Sequence, residues 1–187
     1  ITYRDAAFFR GETAIPVIDI PYGVNPEEFT PSYKIKEKPT LYHIGSMNWM
    51  PNEEGIRWFI KNVWDKLTER NLKIELNLAG RHMPNWLKKL KKKNINIIGE
   101  VPDAKEFIKD NDIAIVPLLS GSGIRIKIIE AMAMGKTVIT TMVGAEGIQY
   151  SEYVNIIIAD NPTKIMETIC RITKEPEELK RIGRNAR

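Results

Sequence analysis

The sequence predicts an α/β protein with a Rossmann-like parallel sheet that carries helices on both faces. Seven apolar runs of strand length recur along the 187 residues, and helix-like patterns separate them. The runs are almost wholly apolar instead of alternating, which is expected when both faces of a sheet are covered. Glycines follow several runs directly, and ligands in such sheets bind beyond the carboxyl ends of the strands. We therefore expect the functional site at that edge.

The predicted strands are short apolar runs. In chain order they are VIDI (17–20), LYHIG (41–45), KIELNLA (73–79), INIIG (95–99), IAIVPL (113–118), TVITT (137–141) and NIIIA (155–159). The glycines at the expected binding edge are Gly45, Gly80, Gly99, Gly121 and Gly123.

Helices are predicted between these strands. The clearest pattern follows Pro51, where one face carries Ile56, Phe59, Ile60, Val63, Trp64 and Leu67. A short helix carries Trp86, Leu87 and Leu90, and others are predicted at 103–109, 124–134, 161–173 and 177–187. Residues 1–38 are rich in proline and turn residues, and we interpret them as a connector that holds the first strand. Residues 39–187 form the predicted Rossmann-like domain.

The composition is that of a globular domain, with 43% hydrophobic and 28% charged residues. The net charge of +4 is a mild excess, which suits an anionic ligand but is low for a nucleic-acid-binding protein. The single cysteine, Cys170, excludes a disulfide framework, and no run is long enough to cross a bilayer. We expect a cytoplasmic monomer, and the start at Ile1 suggests a part of a longer chain.

Charged residues interrupt the apolar stretch SGSGIRIKIIEAMAMGK (120–136). Glu130 has apolar neighbours on almost every side, and a buried carboxylate must find partners. A pair of sugar hydroxyls could donate hydrogen bonds to this carboxylate. The alternatives are neighbouring backbone N–H groups or Lys127 on the same helix face.

The start of this helix combines glycines with cations. Ser122 and Gly123 are predicted to cap the helix, which leaves Arg125 and Lys127 in its first turn. Cations are unfavourable at a helix N-terminus, and a bound phosphate would resolve the conflict. The alternative is that both side chains are solvated. The stretch lacks the third glycine of a dinucleotide fingerprint.

Four segments in register resemble one enzyme family. PYGVNPEEF, LAGRH, GEVPD and IVPLLSGSGIRIKIIEAMAMGKTVITTMVGAEGI are similar, in order and spacing, to the C-terminal half of group 1 (family 4) retaining glycosyltransferases. The resemblance covers roughly residues 15–187. It implies one half of a GT-B fold, which binds a nucleotide-diphosphate sugar as donor substrate and needs no further cofactor. Sugar or lipid-linked acceptors would bind an N-terminal domain that is absent here, so this chain alone is expected to be inactive.

The resemblance assigns roles to individual residues. Glu130 corresponds to the second glutamate of the E-x7-E motif, which bonds the ribose, and Gly123 and Ile124 correspond to the cradle of the phosphates and sugar. Val101 falls in the base-contacting loop. Arg81 lies near the same edge, and Gly45 and Ser46 stand in the loop after the first strand of the domain.

Two departures from the family pattern are clear. Ser122 replaces the first glutamate of E-x7-E, which touches the transferred sugar. The loop from Gly45 to Asn52 lacks the cations that the family often places there. We infer that Arg125 and Lys127 supply the missing charge and stabilise the leaving diphosphate as catalytic residues. Two other functions stay open: a nucleotide-sugar epimerase of the same architecture, and a non-catalytic sugar-nucleotide-binding module.

Three further patterns receive structural interpretations. The lysine run 88–93 is read as a solvated face, with peripheral membrane contact as the alternative. Asp110 and Asp112 form a D-x-D pattern at a strand boundary, so no metal site is predicted. Glu146 in GAEG is interpreted as part of a turn, with a ligand contact as the alternative.

Overall fold

The computed structural model describes residues 3–20 and 22–187. Its six strands form one parallel sheet in the order β3-β2-β1-β4-β5-β6, which is the strand order of Rossmann folds. The predicted α/β class is confirmed. The strands are β1 Thr40–Ile44, β2 Glu75–Ala79, β3 Ile95–Gly99, β4 Ile113–Val116, β5 Thr137–Thr140 and β6 Ile157–Ile158.

The helices cover both faces of the sheet. A π-helical turn, Ile60–Trp64, joins α2 to α3, so the two continue one helical stretch along the predicted apolar face. The helices are α1 Tyr3–Glu12, α2 Met50–Phe59, α3 Asp65–Glu69, α4 Asn85–Lys88, α5 Ala104–Lys109, α6 Ile126–Ala133, α7 Pro162–Ile172 and α8 Pro176–Ala186. The sequence patterns did not predict α1.

Two hydrophobic cores flank the sheet. One packs α2, α3, α7 and α8 around the fully buried Trp64 and Phe59. The other packs α5 and α6 around Tyr42, and Phe29 from the connector joins it. Because the connector contributes a buried ring, residues near Phe29 pack on the domain instead of lying free.

The predicted strand at 17–20 is wrong. VIDI has no regular secondary structure and no neighbouring strand in the described part of the chain, and Ile18 and Ile20 are 76% and 77% exposed. Its contacts run to α1, where Arg10 donates to the carbonyl of Val17 and pairs with Asp19 at 2.8 Å. A strand needs a partner for its backbone groups, which the propensity of a short apolar run cannot reveal.

The order of the strands reverses between β1 and β4, and this pair creates a crevice at their carboxyl ends. The chain leaves β1 through Gly45 and Ser46, and it leaves β4 through the loop that leads to α6. Gly80 packs against this exit at a φ of +139°, and a Cβ there would lie 1.8 Å from the carbonyl oxygen of Gly45. Only glycine fits that close approach.

Candidate functional site

The floor of the crevice is a buried histidine on β1. His43 donates from Nδ1 to the carbonyl of Ile115 on β4 at 2.9 Å, which leaves the lone pair of Nε2 facing outward. Burial lowers the pKa of His43 well below its usual value, and the nearby Lys127 ammonium lowers it further. The imidazole is therefore a neutral acceptor.

Lys127 points into the crevice from the first turn of α6. Its Nζ donates to Oδ1 of Asn52 at 2.6 Å and lies 3.4 Å from Nε2 of His43. A Cβ on Gly45 would lie only 2.6 Å from this Nζ, so the ammonium sits directly against the exit of β1. Burial lowers the pKa of Lys127 to about 7, with Arg125 contributing further. Within the described residues, no carboxylate lies within 4 Å of Nζ.

Arg125 is the second cation, and only 5% of its surface is exposed. Its Nη1 donates to the carbonyls of Ser122 and Gly123, and the guanidinium carbon lies 5.2 Å from the ring centre of Trp49. Nε and Nη2 are buried with no hydrogen-bond partner in the part of the chain described. Burial lowers the pKa of Arg125, and the Glu146 carboxylate opposes that shift. Two nitrogens of the guanidinium thus have N–H groups left for an anion.

The loop before α6 differs from the prediction in one respect. Ser122 and Gly123 do not cap the helix, since α6 begins at Ile126 and Arg125 occupies the cap position without a side-chain cap bond. Gly121 turns the chain away from the helix axis with a φ of +105°. The first N–H groups of α6 therefore have no side-chain cap, while Arg125 binds the preceding loop.

Glu130 lies one turn further along α6, half-buried, beside Tyr42 of β1 and Lys105 of α5. Burial raises the pKa of its carboxyl group, and the Lys105 ammonium opposes the rise. The alternative pairing with Lys127 is not formed, because that ammonium is turned to Asn52. No hydrogen bond involves the Glu130 carboxylate among residues 3–20 and 22–187.

The other predicted residues lie along the same edge. The carbonyl of Ser46 accepts from Nδ2 of Asn52 at 2.9 Å, and the carbonyl of Arg81 accepts from the N–H of Met47 at 2.9 Å. The Arg81 side chain is exposed at the rim, Ile124 is half-buried in the loop before α6, and Val101 is half-buried just ahead of α5. The crevice thus gathers Gly45, Ser46, Arg125 and Lys127, while Glu130 and Val101 lie on the α5 side.

A cavity of about 910 Å³ opens beside this loop. Gly121, Ser122, Glu146 and Tyr150 line it on the domain side, and Phe8 of α1 lines the opposite side. Glu146 lies in a turn, as predicted, but that turn also presents it to the cavity.

Sequence reasoning missed two residues of the crevice. Asn52 and His43 hold the Lys127 ammonium, yet they come from α2 and β1. His43 carries no sequence signal of a ligand, because the other histidine of the chain, His82, does not stand at ligand spacing from it. Asn52 carries no sequence signal, since an asparagine in a first helical turn is ordinary.

The patterns outside the crevice have structural roles. Oδ2 of Asp112 accepts from the N–H and hydroxyl of Thr40 at 2.8 and 2.9 Å, which confirms its interpretation as a strand boundary. The lysine run is mostly a turn, because α4 ends at Lys88, so no continuous membrane-surface helix forms there. The described residues hold no cluster of three metal-ligating side chains, and none of their helices has the length and hydropathy to cross a membrane.

Comparison by sequence gives one family and one relative. The model of the family described as "Glycosyl transferases group 1" matches residues 38–175. An uncharacterised 44.6 kDa protein in the cps region of Klebsiella pneumoniae is 29% identical over 147 residues. That match covers 73% of this chain but only 38% of the relative, so the chain spans well under half of the relative's length.

Comparison of structures finds the same architecture at low sequence identity. A mutant of TarM from S. aureus, crystallised with fondaparinux, alpha-GlcNAc-glycerol and UDP, has a TM-score of 0.80 at 14% identity, covering 100% of this chain and 38% of TarM. HepE from Anabaena, crystallised with UDP and glucose, has a TM-score of 0.73 at 15% identity, covering 96% and 54%. The C-terminal domain of a group 1 glycosyltransferase, LpcC from Francisella tularensis, has a TM-score of 0.66 at 19% identity, covering 88% and 94%.

Proposed function

The chain belongs to the group 1 glycosyltransferases, and from that premise we propose that it is the donor-binding half of a retaining, GT-B type sugar transferase. The donor is a nucleotide-diphosphate sugar. The observation that carries this proposal is a pair of desolvated cations, the buried Arg125 and the half-buried Lys127, that face the crevice without a carboxylate partner within 4 Å among the described residues. Structural neighbours crystallised with UDP support it.

The diphosphate is expected at the start of α6. The Lys127 ammonium offers a point charge, and the unpartnered Nε and Nη2 of Arg125 offer directed N–H donors. The uncapped helix N-terminus adds its dipole, and Gly123 and Ile124 allow close approach of the backbone. Charge builds on the leaving diphosphate as the glycosidic bond breaks, so these fixed groups stabilise the transition state more than the ground state.

The nucleoside is expected on the α5 side of the crevice. Glu130 has a half-buried carboxylate without a hydrogen bond in the described chain, which suits a pair of ribose hydroxyls. The loop containing Val101 lies at the adjacent exit of β3, where it can contact the base. Gly45 and Ser46 border the diphosphate, and Arg81 stands at the rim of the same edge.

The remaining expectations concern the whole enzyme. We propose that the sugar or lipid-linked acceptor binds a separate N-terminal domain, and that this chain alone transfers no sugar. Action in the cytoplasm as a monomer stays a prediction, and peripheral membrane contact stays the alternative to a solvated lysine run. We propose polysaccharide biosynthesis as the process, which the family and the relative from the cps region support.

A transfer assay on the full-length protein tests the proposal. The protein is incubated with UDP-glucose, UDP-N-acetylglucosamine or GDP-mannose and with oligosaccharide and lipid-linked acceptors, and products are identified by mass spectrometry. We expect free nucleotide diphosphate together with an acceptor that has gained one sugar in the donor's anomeric configuration. An altered sugar still bound to nucleotide would indicate an epimerase instead. Tight binding without any turnover would indicate a non-catalytic module.

A further inference from the structure

We propose that Glu146, in the turn after β5, accepts hydrogen bonds from the hydroxyl groups of the transferred sugar and thereby helps to select it. This inference rests on the proposed function, since it assigns the sugar of that donor to the cavity beside the diphosphate crevice. Glu146 would be a specificity-determining residue within the same site.

The first argument is position. Glu146 lines the 910 Å³ cavity together with Gly121 and Ser122, which belong to the loop that leads into α6. The cavity therefore begins where the diphosphate crevice ends. A sugar joined to the second phosphate has to leave the crevice past this loop, and the cavity provides space of the size that small-molecule sites usually have.

The second argument is the link to Arg125. The guanidinium donates to the carbonyls of Ser122 and Gly123, and the Glu146 carboxylate is close enough to favour its charged form. Arg125 thus contacts the loop that lines the cavity and also faces the diphosphate crevice. A ligand whose diphosphate meets the free N–H groups of Arg125 would bring its sugar next to Glu146.

The third argument is chemical. Sugar hydroxyls donate hydrogen bonds, and bonds to a charged acceptor are stronger and more directional than bonds to a neutral one. Ser122 is exposed on the same wall but carries only a short neutral hydroxyl. Tyr150 and Phe8 add ring surface against which the apolar face of a sugar ring can pack. On the domain side of the cavity, Glu146 is the carboxylate among the lining residues.

Binding measurements on the full-length protein separate the sugar from the nucleotide. Dissociation constants are measured by calorimetry for UDP, UDP-glucose, UDP-N-acetylglucosamine, GDP and GDP-mannose. The comparison uses the nucleotide sugar that binds most tightly and the free nucleotide that corresponds to it. Glu146→Gln is expected to weaken binding of that nucleotide sugar about tenfold, while the affinity for the free nucleotide changes less than about threefold. Glu152→Gln is the matched control, since Glu152 is exposed, pairs with Lys164 and does not line the cavity. Its affinities should not change.

Two further variants decide the interpretation. Glu146→Gln combined with Ser122→Glu restores a carboxylate to the cavity wall, and we expect it to recover part of the lost sugar-dependent affinity. Glu146→Asp keeps the charge and should lose less than Glu146→Gln. Equal affinity of wild type and Glu146→Gln for the nucleotide sugar would overturn the inference, as would an equal loss for nucleotide and nucleotide sugar. A wild-type protein that binds none of the five ligands would instead refute the proposed function.

Discussion

Helix α6 has a desolvated lysine near each end, Lys127 half-buried and Lys136 buried, and their surroundings are opposite in charge. Just beyond its C-terminal end, Lys136 donates to the carbonyl of Lys109 at 2.9 Å, and the Asp112 and Asp110 carboxylates favour its charged form. In its first turn, Lys127 meets the neutral Asn52 and His43, and its charged neighbour is a cation, Arg125.

The difference separates a structural lysine from a functional one. Both are desolvated, and burial lowers the pKa of Lys136 to about 8 and that of Lys127 to about 7. Nearby carboxylates and the favourable helix C-terminus offset part of the free-energy cost of desolvating the Lys136 ammonium. Lys127 stands at the unfavourable helix N-terminus, and no carboxylate of the described residues lies close enough to offset its desolvation in the same way. An anionic ligand would supply the missing compensation, which is the argument for a diphosphate there.

The largest expected effect is the loss of nucleotide binding in Lys127→Met. Removing one partner of a desolvated charge pair commonly costs about 2–5 kcal/mol, and a loss of about 2.8 kcal/mol corresponds to the roughly 100-fold weaker affinity for the nucleotide diphosphate that we expect. The free energy of unfolding without ligand should stay equal or increase, because a buried cation has been removed. Calorimetric titration and urea unfolding measure the two quantities.

Lys136→Met is the matched control, and we expect it to lower the free energy of unfolding without changing nucleotide affinity. It leaves the Asp112 and Asp110 carboxylates without their cation, so we expect a loss of about 2 kcal/mol in stability and a melting temperature lower by about 6 °C. Nucleotide affinity should not change. If both variants lost affinity equally, or if Lys127→Met were the more destabilised, the distinction between the two lysines would be wrong.

The same contrast shows what sequence reasoning can reach. Charges inside the apolar helix of residues 126–133 are conspicuous, so Arg125, Lys127 and Glu130 could be identified from the order of residues alone. Strands from β1 onward followed from apolar runs. The partners of Lys127 could not be predicted, because Asn52 and His43 reach it only through the packing of α2, β1 and α6. The prediction of a strand at VIDI (17–20) was wrong for a related reason. A strand forms only beside a neighbouring strand, and the short apolar run does not reveal whether that neighbour exists.

The second effect concerns the geometry of the other cation. Arg125→Lys keeps a positive charge but removes the planar fork, the contact with Trp49 and the donors on the unpartnered Nε and Nη2. We expect nucleotide affinity to fall about 30-fold, measured by the same titration. Arg57→Lys is the control, because Arg57 is exposed and stacks on Trp86 at 4.0 Å outside the crevice. Arg57→Lys should leave nucleotide affinity unchanged, and an equal loss in both variants would mean that the effect of Arg125→Lys does not arise in the crevice.

The smallest effect is a pair of opposite pH dependences at Lys127. The folded pKa of about 7 lies below the unfolded value near 10.4, so the unfolded chain holds more protons between these values. The lysine's cost to stability is complete below pH 7 and disappears as the pH rises towards 10.4. Nucleotide-sugar affinity should move the other way and be about tenfold weaker at pH 8 than at pH 6, because the anion needs the protonated amine.

The measurement requires a ligand that does not titrate in the same range. A nucleotide sugar meets this condition, whereas the terminal phosphate of a free nucleotide diphosphate ionises near pH 6. Burial keeps His43 neutral and Arg125 stays charged, so Lys127 is the one of these three groups at the diphosphate that changes charge in this window. Lys127→Met should abolish the dependence on pH and Lys136→Met should keep it. An affinity that is flat from pH 6 to pH 8 in the wild type would place the diphosphate away from Lys127.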